Sequence, residues 1–309
     1  MKVLIAYDGS DCANHAIEDL NRAGLSDDVE ALIMTATDTW LPKDFESDSI
    51  IETVDFTSAE TFKQMRGAAL EQAAEGEKLA ERANILVQQK FPTWQVRHKT
   101  IGGFAEWGII GEAYEYKPDL VVVGSHGRGG VGRFFLGSVS LKVLSEAACS
   151  VRVARQSPVR AENDDSPLRI VIAIDGSIDS TNAVEAVLRR DWLPETSVRL
   201  VSAVESLPFS VLLAELPKAE KLRETAAAKL KEKGLHVSTV VQFGRAKSVI
   251  VEEAEKWGAD SIFIGAKGHR LMERVLLGSV SYAVAARAHC SVEVVRKSND
   301  KLRRADKKK

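Results

Sequence analysis

The sequence is poor in the residues that build covalent or metal-held frameworks. Its 309 residues include three cysteines, Cys12, Cys149 and Cys290. An odd, widely spaced set excludes a disulfide scaffold, has no zinc-site spacing and suits a reducing compartment. No apolar run approaches the roughly 20 residues that cross a bilayer, and the chain opens on a strand-like run, VLIAYDGS, without a secretory leader. The expectation is a cytoplasmic protein with no membrane partner. Aromatics make up only 6% of the chain, and the five tryptophans are scattered. Neither charge sign dominates, with a formal net charge of −2. The stretch from Arg296 to Lys309 carries eight Lys/Arg against two Asp, so the rest of the chain is near −8. Such a body leaves no nucleic-acid footprint, and the basic end is expected to be solvated.

Familiar phosphate signatures are missing too. There is no Walker G-x4-G-K-[ST] string and no Ser-Gly-Gly-x-Asp-Ser loop. One G-x-G-x-x-G string occurs, at Gly127, Gly129 and Gly132. It follows the fourth expected strand instead of the first and has no second copy, so it is a chance match within a glycine-rich loop.

A wider glycine frame is present, and it occurs twice. Gly124, Gly127, Gly137 and Ser138 fit Gly-x2-Gly-x9-Gly-Ser, as do Gly265, Gly268, Gly278 and Ser279, offset by 141 residues. The same offset relates Gly103 to Gly244, Asp119 to Asp260 and Cys149 to Cys290, while AYDGS at 6–10 and AIDGS at 173–177 are offset by 167. The difference of 26 is an insertion in the first copy, within 40–90, expected as a loop (41–58) followed by an extended helix (59–89). Two copies make a domain duplication, not a solenoid. The first domain is 1–156, the linker 157–167 with its two prolines and acidic cluster, the second domain 168–297 and a charged tail 298–309.

Each copy alternates strand and helix. Strands are expected near 2–7, 30–36, 95–101, 119–123 and 150–154, and near 168–174, 198–204, 235–242, 260–264 and 291–295. Helical patterns lie between them, as at Ala13–Leu20 and Phe104–Tyr116. Crossover helices between apolar strands imply parallel sheets covered on both faces. The class is α/β, with two doubly wound five-stranded domains.

In such sheets ligands bind beyond the carboxyl ends of the strands. If the first and fourth strands are neighbours, Asp8 faces the glycine loop, and Asp175 does so in the second copy. Glycines let a backbone approach phosphate, and the first-turn N–H groups of the following helix, Ser138 to Ser140, favour an anion. Ser138 is the expected N-cap of that helix. Arg128 and Arg133 add positive charge. The plainer alternative is a tight turn with Ser138 and Asp8 as helix caps only. Cys149 and Cys290 are expected to begin buried strands as small core residues.

These residues resemble a tandem universal stress protein. The carriers are AYDGS and AIDGS, PDLVVVGSHG and ADSIFIGAKG, the following GSVS, and CSVRV or CSVEV, which together span both halves. The resemblance implies a Rossmann-like, adenine nucleotide α-hydrolase-like fold. It also implies ATP (or ADP or AMP) as cofactor, with magnesium if a triphosphate is bound. Asp8 would lie near the ribose and the phosphate-bound metal. Ala36 would offer backbone atoms to adenine, and Gly124, Gly127, Gly137, Ser138 and Val139 would surround the phosphates. In the second copy the roles fall to Asp175, Ala203, Gly265, Gly268, Gly278, Ser279 and Val280. The second loop carries Leu271, Met272 and Glu273 where the first has Gly130, Val131 and Gly132, so the first is the expected better site. Family members pair through their last strand. Here VRVAR (151–155) and VEVVR (292–296) can pair within one chain as a pseudo-dimer.

No nucleophile–base pair is visible, so the expected function is a nucleotide-dependent stress-response regulator, not an efficient enzyme. A homodimer and regulatory proteins are the expected further partners. Two alternatives stay open. One is a slow ATPase or autophosphorylating protein using Ser138 or Ser140. The other is an interaction module whose glycine loops are only structural.

Overall fold

A computed structural model describes residues 1–37, 56–127, 136–156, 166–205, 209–268 and 277–297, with backbone only for 56–62 and 209–218. The first half contains β1 (Lys2–Ala6), α1 (Asp11–Asp19), β2 (Glu30–Thr37), α2 (Phe56–Lys90), β3 (Gln95–Gly102), α3 (Ala105–Tyr116), β4 (Leu120–Gly124), α4 (Ser138–Glu146) and β5 (Ser150–Ala154). The second contains β6 (Arg169–Ala173), α5 (Ile178–Leu188), β7 (Ser197–Val204), α6 (Phe209–Glu232), β8 (His236–Phe243), α7 (Ala246–Trp257), β9 (Ser261–Gly265), α8 (Ser279–Arg287) and β10 (Ser291–Val295). All ten strands fall within a residue of their expected bounds. The insertion is partly accounted for by α2, at 35 residues against 24 in α6. Phe56, Thr57 and Ser58, expected in the loop, are its first residues. Residues 38–55 lie outside the described set.

The strands form one ten-stranded sheet in the order β3-β2-β1-β4-β5-β10-β9-β6-β7-β8. Within each half all pairings are parallel, and β1 lies between β2 and β4. Among the described residues, the two five-stranded sheets join at β5·β10, which is antiparallel with Arg152 opposite Glu293. That joint is the pseudo-dimer that the family resemblance led us to expect. Equivalent hydrogen bonds mark the duplication. Lys2 N–H donates to Asp119 Oδ2 and Arg169 N–H to Asp260 Oδ2, both at 2.8 Å.

The joint has two unlike faces, because side chains alternate along a strand. On one face Val151, Val153, Val292 and Val294 join α4 and α8 through Val143, Leu144, Val284 and Ala285, in one apolar cluster that runs across both domains. On the other face the alternate residues, Arg152 and Glu293, are fully buried. Arg152 donates to Asp19 (Nε to Oδ2, 2.5 Å) and to Ser261 (3.0 Å). Glu293 accepts from Arg190 and lies 3.6 Å from Arg152 Nη1. Arg190 also donates to the Ala23 carbonyl at 2.6 Å. The charges therefore alternate in sign across the seam: Asp19, Arg152, Glu293, Arg190. Burial this complete is tolerated only because each group is paired or hydrogen-bonded.

Candidate functional site

The sheet order places Asp8 after β1 and the first glycine loop after β4, its neighbour. The chain runs from β1 out to β3 on one side and to β5 on the other. The β1/β4 boundary is thus the topological switch point where such folds hold ligands. Ala36 is the penultimate residue of the adjacent β2. Asp175, the second glycine loop and Ala203 repeat the arrangement on β6, β9 and β7.

Asp8 and Asp175 do not cap helices. Ser10 caps α1 by accepting from Ala13 N–H at 3.2 Å, and Ser177 caps α5 by accepting from Ser180 N–H at 3.1 Å. Asp8 Oδ1 accepts from Ser10 N–H (3.0 Å) and Asp175 Oδ1 from Ser177 N–H (2.9 Å), which fixes each carboxylate. The other oxygen meets the glycine loop. A Cβ at Gly127 would lie 2.9 Å from Asp8 Oδ2, and one at Gly268 would lie 2.8 Å from Asp175 Oδ2. No residue larger than glycine fits either place with the carboxylate where it is.

Gly124 and Gly265 serve packing. A Cβ at Gly124 would meet the Cys12 carbonyl at 2.9 Å, and one at Gly265 the Asp179 carbonyl at 2.6 Å. Ser140 and Ser281 brace the loops by donating to the Gly124 and Gly265 carbonyls at 2.6 and 2.7 Å. The Ser140 hydroxyl, expected beside the phosphates, is buried and committed to this brace.

Gly137, not Ser138, is the N-cap of α4, and Gly278 the N-cap of α8; neither has a side-chain capping bond. Ser138 and Ser279 are one residue further in and exposed. Gly137 N–H turns back to the Ser125 carbonyl and Gly278 N–H to the Ala266 carbonyl, both at 2.8 Å. The first-turn N–H groups at residues 138–140, including Val139, and at 279–281, including Val280, thus begin an uncapped helix. Such an end attracts an anion. Arg128, Arg133 and residues 269–276, with Leu271, Met272 and Glu273, lie outside the described residues.

Sequence reasoning missed the position shared by Cys12 and Asp179, although the 167-residue offset relates them. In the first domain Ser125 Oγ donates to Cys12 Sγ at 3.8 Å, and His126 Nδ1 lies 3.1 Å from Ser125 Oγ. His126 is pushed below the usual imidazole pKa by burial and by the Arg155 charge. In the second domain the Asp179 carboxylate accepts Lys267 N–H at 2.9 Å, which adds negative charge against that loop. Cys290 is buried as expected, and its thiol is pushed up to about 12 by burial, but Cys149 is only half-buried. Both precede their strands by one residue. Among the described residues no helix is long and apolar enough to cross a membrane, and no cluster of three His, Cys, Asp or Glu side chains can hold a metal.

Fold and site define a class: paired doubly wound α/β domains, each with an acidic group facing a glycine loop at its switch point. The sequence profile of the Universal stress protein family matches residues 1–155 and again 168–296, so the chain belongs to that family, with two such domains in tandem. A universal stress protein of Mycobacterium tuberculosis H37Rv is 32% identical over 195 residues, 58% of this chain and 62% of that relative. The chain thus spans less than two thirds of the length of this relative. A universal stress protein of Methanocaldococcus jannaschii is 36% identical over 139 residues, 42% of this chain and 82% of the relative. Among solved structures, a universal stress protein from Archaeoglobus fulgidus superposes with a TM-score of 0.63 at 18% identity, covering 96% of this chain and 98% of that one. At that identity the likeness speaks for the fold alone.

Proposed function

We propose that the protein is a nucleotide-dependent regulator that binds an adenine nucleotide at the first domain's glycine loop. The observation that carries this reading is the Asp8–Gly127 approach. A carboxylate held by Ser10 N–H faces a backbone stripped of side chain, ahead of the uncapped N-terminus of α4. That arrangement offers N–H donors to phosphate oxygens and an acid to a ribose hydroxyl or a phosphate-bound magnesium ion. The first domain is favoured because Asp179 places a carboxylate against the second loop where the first has Cys12. Isothermal titration with Mg·ATP is expected to give a binding heat that Gly127→Val abolishes, because the added side chain meets Asp8. Absence of heat in the unaltered chain, or full binding by Gly127→Val, would sink the proposal.

A further inference from the structure

Two arginines lie outside the glycine loops and cross the seam in opposite directions. Arg155 follows β5 of the first domain. It is buried and donates from Nη2 to the Ala285 and Ala286 carbonyls at 2.8 and 3.1 Å, in the last turn of α8 of the second domain. Arg296 follows β10 of the second domain. It donates from Nη2 to the Leu144 carbonyl at 2.6 Å, near the end of α4 of the first, and from Nη1 to the Cys149 carbonyl at 3.3 Å. The two are related by the 141-residue repeat, as are Leu144 and Ala285. So are the hydroxyls that fix their backbones: Ser291 accepts from Arg155 N–H and Ser150 from Arg296 N–H, both at 3.1 Å. Arg296 belongs by sequence to the basic end of the chain, yet it is part-buried in this contact and is not a solvated tail residue.

The helices so held are those whose N-termini face the candidate phosphate sites. Terminal carbonyls of a helix lack partners within it, and a cation there is favoured by hydrogen bonding and by the dipole. From Ser138 to Leu144 the helix rises about 9 Å, so an arginine of one domain grips the far end of the other domain's phosphate-facing helix.

We infer that each glycine-loop site is completed across the seam: Arg296 positions α4 for the first domain's site, and Arg155 positions α8 for the second domain's. Both are positioning residues that touch no ligand. The inference rests on the nucleotide reading above, and it gives a reason for keeping two domains in one chain. Neither helix is fully anchored without the other domain.

The test uses the full chain with one site closed at a time. In a Gly268→Val background, Arg296→Met is expected to weaken Mg·ATP binding about tenfold, the scale of one charge-assisted hydrogen bond, while Arg155→Met changes it less than twofold. In a Gly127→Val background the two effects exchange. If only the first site binds, the Gly268→Val background alone decides. Arg296→Lys should recover part of the loss, because an ammonium still donates to the Leu144 carbonyl. Equal losses from both arginines would mean general destabilisation and would overturn the inference, as would no loss from Arg296→Met. If the unaltered chain binds no nucleotide, the nucleotide reading fails by itself and hydrogen exchange decides the positioning. Faster exchange confined to α4 in Arg296→Met and to α8 in Arg155→Met supports it, and unchanged or uniform exchange refutes it.

Discussion

Arg152→Met should destabilise the whole chain although it touches neither candidate site. Arg152 is fully buried, with Asp19 at 2.5 Å, Ser261 at 3.0 Å and Glu293 at 3.6 Å. Methionine fills much of the volume but removes the positive charge between two buried carboxylates. Asp19 keeps the Ser291 hydroxyl at 2.7 Å and Glu293 keeps Arg190, yet each loses its central counter-charge. Removing one member of a buried ion pair costs about 3–5 kcal/mol. At about 2.1 cal/mol/K of unfolding entropy per residue, a chain of this length that melts as one unit should lose roughly 5–8 °C in Tm. Replacing the whole set with Asp19→Ala, Arg152→Met, Glu293→Met and Arg190→Met should cost far less, because no buried charge is left unpaired. Differential scanning calorimetry of both variants separates the causes. A single variant melting within about 1 °C of the unaltered chain would refute the reasoning. So would a fourfold variant as unstable as the single one, which would place the cost in shape instead of charge.

Two further outcomes follow from packing. Gly24 has φ of +63°, and a Cβ there would lie 2.7 Å from the Trp192 ring across the seam, so Gly24→Ala should cost roughly 2 kcal/mol by chemical denaturation, from strain and from the clash. With its thiol pushed up to about 12 by burial, Cys290 stays protonated at neutral pH. Iodoacetamide near pH 8 should therefore label Cys12 and Cys149 first by peptide mass spectrometry, with Cys290 following only as the chain opens.

Much of the architecture was legible in the sequence. Buried parallel strands write themselves as runs such as LVVVG and SIFIG, and the repeat offsets transfer each assignment from one copy to the other. The Gly-x2-Gly-x9-Gly-Ser frame located both loops, but it could not divide the labour within them. Ser138 follows the cap, Ser140 braces the loop, and Gly124 packs on Cys12 while Gly127 faces Asp8. Those roles depend on where α1 runs relative to β4, which spacing along the chain does not encode.

The seam was the least legible part. The resemblance gave the pairing of VRVAR with VEVVR, but the alternation Val151-Arg152-Val153 and Val292-Glu293-Val294 does not say what the charged residues meet. Antiparallel pairing of β5 with β10 sets them opposite each other, and α1 and Arg190 then close over them. The sequence by itself determined the two α/β domains, their strands and the position of the glycine loops, because those follow from hydrophobic period and glycine placement. Only the tertiary structure decided that two charged strand residues become the core of a joint, and that Arg155 and Arg296 each hold the other domain's helix. Burial and cross-domain hydrogen bonds belong to surfaces that meet more than 100 residues apart in the chain.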